Sequence, residues 1–358
     1  MEREPDGPTS AKYSLPTIGG IFARSDHDQF LTSNRDSGFD SYFPSVVRGK
    51  TRCLYETGID ALAAILSDRA NSQGPIRLWT AENFCRESLG RLSIKLDHRV
   101  EFQSYGSLDN LRAMSCDDVV LYLHFNRYEP ASRSTIEAIQ RQTSATVIED
   151  FVQAPLDIAR FSGDFAINSL RKFSSLDVAV AYHNFPQPRT LGETRYRTLR
   201  KETELVKSEF LRNPSDELEQ KFLRLGRDSD DALAVREIAS AHPIEEERAW
   251  TFDFKRAQER RRVNYATLAA RIGDQLPKIK VLPGDYMYLM IETPHRDRYR
   301  ADLFANRIFP VIHWADSGCE RAKSLLSFHI DQRYSPTDMD RVAAVLAIRQ
   351  RRDPDGCE

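Results

Sequence analysis

The 358-residue chain balances 51 Lys and Arg against 53 Asp and Glu, so its net charge of −2 directs it toward neither nucleic acid nor anionic lipid. Its length suits about two domains, and no run of 18 apolar residues or apolar leader marks a membrane span or secretory signal, so a cytoplasmic protein is expected. Five scattered cysteines (Cys53, Cys85, Cys116, Cys319 and Cys357), with no C-x-x-C and no Cys/His cluster, support neither a disulfide framework nor a metal site.

Residues 1–45 mix turn formers with charges and read as an irregular lead-in. Beyond Arg52, short apolar runs at 76–80, 100–102, 119–125, 145–150, 164–169 and 176–182 predict strands. Helical patterns at 60–68, 86–95 and 134–142 fall between several of them. This alternation predicts an α/β domain with a mainly parallel central sheet. From about 190 to 272 the chain is charged, poor in glycine and rich in Leu, Glu, Lys and Arg, which predicts two or three long helices broken near 213–216 and 241–243. A smaller α/β domain follows, with strands at 286–292, 308–314 and 326–330 and a helix around 298–307. A last helix starts at "SPTD", where Ser335 and Asp338 form a capping box around Pro336. The expected boundaries are 1–45, 46–265 for the large domain with its charged helical region, and 266–358 for the small one. The basic run 259–262 has acidic neighbours and no interleaved aromatics, so it reads as a solvated helix face and not as a nucleic-acid patch.

Two charges stand out because each closes an apolar run. Asp150 ends "VIED", and Lys172 follows "DFAINS" by a short polar step. In open α/β sheets the carboxyl ends of the strands face the ligand crevice, so Asp150 either contacts a ligand or caps a turn. A lysine beside a buried strand can form a Schiff base with a carbonyl, and pyridoxal phosphate needs such a lysine together with a carboxylate for its ring nitrogen. Its phosphate needs N–H groups at a helix start. Thr57 and Gly58 of "ETGIDAL" lead directly into a helix, and the Ser169 hydroxyl lies three residues before Lys172.

"IEDFVQA…GDFAINSLRK", "TGIDAL" and "LLSFHIDQRYSPTDMDRV" together resemble the DegT/StrS-type aminotransferases, pyridoxal-phosphate enzymes of fold type I, over about residues 50–185 and 255–348. The resemblance implies a large PLP-binding domain, a small C-terminal domain and a homodimer with shared active sites. It makes Lys172 the Schiff-base lysine, Asp150 the partner of the pyridine nitrogen and Gln153 the contact of the phenolic oxygen. Thr57, Gly58, Ile59 and Ser169 become the phosphate site, and Phe84 the ring that stacks on the cofactor, with Asn83 or Cys85 the alternatives if the alignment slips by one. An amino donor and a small keto acceptor, a sugar or secondary-metabolite intermediate, are the implied substrates.

The chain departs from the family in three places: "LDVAVAY" replaces a glycine-rich step after the lysine, an N-Y-R segment is missing, and Ile59 and Asp60 occupy the phosphate turn. Elimination, replacement or carbon–carbon bond formation therefore stand beside transamination as candidate chemistries, and a cofactor-free binding protein on the same fold beside them all. Arg333 is a candidate for a substrate carboxylate, with an inter-domain salt bridge as the alternative. His124, Asn126 and Arg127 close another central strand and offer a substrate contact or a turn.

Overall fold

Val119–Phe125 and Thr146–Gln153 carry apolar residues on both faces, so burying them requires cover on both sides. The computed structural model describes residues 16–20, 22–23, 29–32, 38–82, 84–106, 114–125, 133–276, 279–284, 286–312 and 320–352, and places these two strands inside an eight-stranded sheet. In chain order the strands are β1 (Val46–Val47), β2 (Lys50–Tyr55), β3 (Ile76–Ala81), β4 (Val100–Tyr105), β5 (Val119–Phe125), β6 (Thr146–Gln153), β7 (Phe165–Ile167) and β8 (Ala179–His183). They lie in the order β1-β2-β8-β7-β6-β5-β3-β4. Four ladders, β3/β4, β3/β5, β5/β6 and β6/β7, are parallel, while β8 runs antiparallel to both β7 and β2. The strands predicted between 76 and 182 are all present. β1 and β2 come in addition, because polar Lys50, Thr51 and Arg52 mask the alternation that buries Cys53 and Tyr55.

The longer helices among the described residues are α1 (Gly58–Gln73), α2 (Arg86–Lys95), α3 (Arg133–Thr143), α4 (Arg195–Arg212), α5 (Asp216–Val235), α6 (Pro243–Thr251), α7 (Phe254–Gln275), α8 (Arg296–Ala305) and α9 (Pro336–Arg352). Successive strand residues point to opposite faces. Leu121 and Ile148 therefore pack with Leu62, Ile65 and Leu66 of α1, whereas Val120 and Val147 pack with Ile136 and Ile139 of α3. The charged region forms an α4–α5 hairpin with Thr194 and Ser215 as N-caps and Val206, Phe210, Phe222 and Leu225 at its centre.

The small unit is an antiparallel sheet β11-β10-β9 made of β9 (Lys280–Val281), β10 (Tyr288–Glu292) and β11 (Leu325–His329). Leu268 and Ile272 of α7 and Val342 and Leu346 of α9 share its core. Ser335 and Asp338 form the expected box: the Ser335 N–H donates to Asp338 Oδ2 at 2.9 Å, and the Asp338 N–H to Ser335 Oγ at 3.3 Å. The strand expected over 308–314 is a correction. Ile308 and Val311 make only isolated bridges, to Ile18 and Ser327, since Pro310 between them has no N–H to continue a ladder; residues 313–314 lie outside the described residues.

The basic run 259–262 also needs correcting at one position. Arg261 is 1% exposed, and its guanidinium lies over the Phe173 ring at 4.1 Å. It donates to Phe173 O at 2.7 Å, Tyr286 O at 3.0 Å and Gln332 Oε1 at 2.6 Å. Gln332 Nε2 donates to the same Phe173 carbonyl at 2.9 Å. The small unit thus grips the residue directly after Lys172. Arg261→Leu leaves three buried acceptors short of a donor and should cost roughly 2–4 kcal/mol, read as a lower urea midpoint at unchanged slope.

Candidate functional site

The carboxyl ends of β5, β6 and β7, the start of α1 and the α4–α5 hairpin enclose a cavity of about 390 Å³, the size of a small-molecule site. Asp150 lines it from β6. Its carboxylate is 4% exposed and accepts the Val152 N–H at 2.7 Å. Burial pushes its pKa up to about 6, against the opposing pull of that N–H, His124 and Lys172. The neighbouring Glu149 points to the other face, accepting the Ser162 N–H at 2.5 Å, the Gly163 N–H, and His124 Nε2 at 2.7 Å. His124, stacked on Phe151 at 4.0 Å, therefore belongs to that second face.

Lys172 closes the single 3-10 turn Leu170–Lys172 that follows β7. Leu170 is buried and its N–H donates to Val178 O at 2.8 Å; Phe173 is held from the small unit. Those two anchors fix the backbone while the Lys172 side chain stands in the hollow. It is open to the cavity yet surrounded by protein, and this enclosure, with Arg171 adjacent, pushes its amine below the ordinary lysine range. No ion pair within 4 Å joins Lys172 to Asp150; the two face one space instead of locking two strand ends.

Thr57 N-caps α1: its Oγ1 accepts the Asp60 N–H at 3.1 Å and donates to Asp60 Oδ2 at 2.7 Å. Gly58, Ile59 and Ser169 line the cavity beside it. A Cβ on Gly58 would stand 3.2 Å from both Asn168 O and Ser169 Cβ, so any side chain there would push the turn and the lysine segment apart by a few tenths of an ångström. Gly58→Ala should destabilise by about 1–3 kcal/mol and displace Ser169, measurable as a fall in melting temperature. Beneath the turn, Asp60 pairs with Lys95 at 3.3 Å and Arg236 at 2.6 Å, and Glu56 with Arg197 at 2.5 Å and Arg236 at 2.9 Å. Three basic groups against two carboxylates, under a helix N-terminus, favour an anion at Thr57 and Gly58.

Gln153 lines the cavity, and its buried Oε1 has no hydrogen-bond partner among the described residues. Phe84 and Cys85 both line it; Asn83 lies outside the described residues, as do Asn126 and Arg127. Arg333 stands behind Phe22, stacked on its ring at 4.1 Å, with Nε and Nη2 each 2.8 Å from Asp331. The ion pair of Arg333 therefore lies inside the small unit and is not the inter-domain salt bridge expected as the alternative; Nη2 also donates to Gly20 O at 3.1 Å. Sequence reasoning missed the opposite wall altogether. Arg91 of α2, Arg171, Arg200 and Thr203 of α4, and Ser229 and Asp230 of α5 all line the cavity. The amphipathic spacing of α4 and α5 signals helices but does not say which polar face turns inward.

The donor set suits pyridoxal phosphate. An amine and a buried carboxylate face one hollow, an unpartnered amide oxygen opens beside them, and a glycine-bearing helix start offers N–H groups and hydroxyls. No family model matches the chain, and no curated protein matches its sequence. Solved structures match over nearly its whole length. DesI, solved in the presence of its TDP-sugar product, is 14% identical with a TM-score of 0.59, covering 96% of this chain and 94% of that one. A DegT/DnrJ/EryC1/StrS aminotransferase from Brucella abortus is 13% identical with a TM-score of 0.54, covering 90% and 93%. A putative sugar aminotransferase from Streptococcus pneumoniae, in its PLP form, is 9% identical with a TM-score of 0.56, covering 95% and 99%. At these identities the likeness is one of fold. The chain has the PLP-dependent transferase fold type I, with a large, mostly parallel sheet and a small C-terminal unit.

Proposed function

We propose that the chain is a pyridoxal-phosphate-dependent aminotransferase that works in the cytoplasm as a homodimer on a small keto substrate. The observation that carries this reading is the convergence of Lys172, Asp150, Gln153 and the Thr57–Gly58–Ser169 turn on one cavity at the strand ends. When bound, the cofactor would supply an electron sink for charge developing at the substrate Cα.

Lys172 Nζ would hold the cofactor's aldehyde carbon, then carry the proton that the substrate Cα releases; its lowered pKa keeps more of the amine unprotonated near neutral pH. Asp150 Oδ would accept the hydrogen bond of the protonated ring nitrogen, a contact that its buried setting would strengthen. Gln153 would hold the phenolic oxygen and Phe84 would pack against the ring. Thr57, Gly58, Ile59 and Ser169 would hold the phosphate. The α4–α5 hairpin forms one wall of the cavity. Free thiols at Cys53, Cys85 and Cys116 suit a reducing compartment, and no helix among the described residues is long and apolar enough to cross a membrane. Sedimentation velocity tests the homodimer.

The sugar aminotransferases and the TDP-sugar product among the similar structures make sugar-like keto compounds the first acceptor class to try. Mixing the loaded protein with L-glutamate should convert the cofactor to its aminated form, seen as loss of the visible band with a rise in the near ultraviolet. If no amino donor produces this half-reaction, transamination is wrong and elimination, replacement or carbon–carbon chemistry takes its place.

A further inference from the structure

Among the described residues three arginines line the cavity, and two are already matched. Arg91 bridges Glu87 at 3.4 Å and Asp230 at 3.1 Å. Arg200 bridges Asp177 at 3.3 Å and Glu204 at 3.2 Å. Arg171 differs. Its Nη1 donates to the hydroxyl of Tyr196 at 3.2 Å, and no carboxylate among the described residues lies within 4 Å of its guanidinium. Tyr196 is 1% exposed and uncharged, so it orients the guanidinium without cancelling its charge.

An enclosed guanidinium with a neutral partner keeps a planar donor fork for a carboxylate. The same cavity holds Ser229, 2% exposed, whose Oγ has no hydrogen-bond partner among the described residues. Position narrows the ligand. Arg171 is the chain neighbour of Lys172, with Cα atoms about 3.8 Å apart. In an α-amino acid the carboxylate carbon is two bonds from the nitrogen that takes the place of Nζ, so a partner for that carboxylate belongs beside Lys172. A nucleotide diphosphate, many bonds from the reacting carbon, would find its anchor farther away. Arg333, the other candidate, is held by Asp331.

We propose that Arg171 binds the α-carboxylate of the amino donor, so that the donor is an α-amino acid recognised from the residue next to the reacting lysine. This rests on the aminotransferase reading above. Tyr196 is the positioning residue, setting the guanidinium for bidentate contact.

The test titrates the holoenzyme with L-glutamate and with its α-amide, isoglutamine, following the cofactor's absorbance. In Arg171→Gln, glutamate binding should weaken roughly 10- to 100-fold while isoglutamine binding stays within about twofold of the wild type. Arg171→Lys should recover part of the loss, and Tyr196→Phe should shift glutamate in the same direction by less. Unchanged discrimination between acid and amide in Arg171→Gln overturns the proposal. So does a variant that loses pyridoxal phosphate but still binds pyridoxal, since the guanidinium would then serve the cofactor's phosphate. If the wild type takes up no cofactor, the aminotransferase reading fails on its own, and thermal shifts still decide Arg171. Stabilisation of the wild type by glutamate over isoglutamine, lost in Arg171→Gln, supports it; equal shifts overturn it.

Discussion

Asp150→Asn should make the cofactor-free protein more stable at pH 7 while disabling transamination. Burial raises the Asp150 pKa from 3.8 to about 6, so in the empty cavity its charge opposes folding. At about 1.4 kcal/mol per pH unit, the gap corresponds to about 3 kcal/mol. The raised value fixes the sign. The contribution of the protonated acid is fully present below about pH 4 and is lost as pH rises through about 6. Urea denaturation of the two cofactor-free proteins between pH 4 and 7 should therefore show the wild type losing ground to Asp150→Asn as pH rises; a constant difference would contradict this. The neutral amide of the variant keeps an acceptor for the Val152 N–H but cannot hold the ring proton by charge. Turnover should fall at least about 100-fold, the scale of removing one group aimed at developing charge. Stability given up at this residue is the mark of a functional carboxylate.

Lys172→Ala should be the most damaging change to turnover and one of the mildest to the fold. Its side chain stands in the hollow, with Leu170 and Phe173 holding the backbone on either side, so truncation opens no core cavity. The melting temperature of the cofactor-free protein should stay within a few degrees of wild type. Turnover should drop by about 10⁴-fold or more, because one amine serves both attachment and proton transfer. Added methylamine should restore a measurable part of the rate by supplying the missing base. A variant with near-normal turnover, or one that fails to fold, would contradict the role given to Lys172.

The parts of the site that were legible share one property: each closes a strongly patterned element. Asp150 ends a buried strand, Lys172 follows another, and Thr57 with Gly58 opens a helix, so periodicity and capping placed them near one crevice, whereas Gln153 was named only by the family resemblance. Asp60 was visible only as a departure from a family turn. Its partners Lys95 and Arg236 lie far away in the chain, and no local pattern encodes a buried ion cluster. Arg200 and Ser229 were missed because a charged amphipathic helix looks the same whether its polar face meets solvent or an enclosed cavity. Arg261 shows the same ambiguity: within a run of basic residues, the one that ties the small unit to Phe173 cannot be told from its solvated neighbours. The 308–314 run failed for a local reason, Pro310, which was readable but outweighed by the apolar residues around it.

The central claim is that Lys172 is the amine that binds the cofactor. Purified protein incubated with pyridoxal phosphate, reduced with borohydride and digested should yield one modified peptide, carrying a pyridoxyl group on Lys172, and Lys172→Ala should yield none. A modified peptide at a different lysine, or no modification of the wild type, would contradict the account.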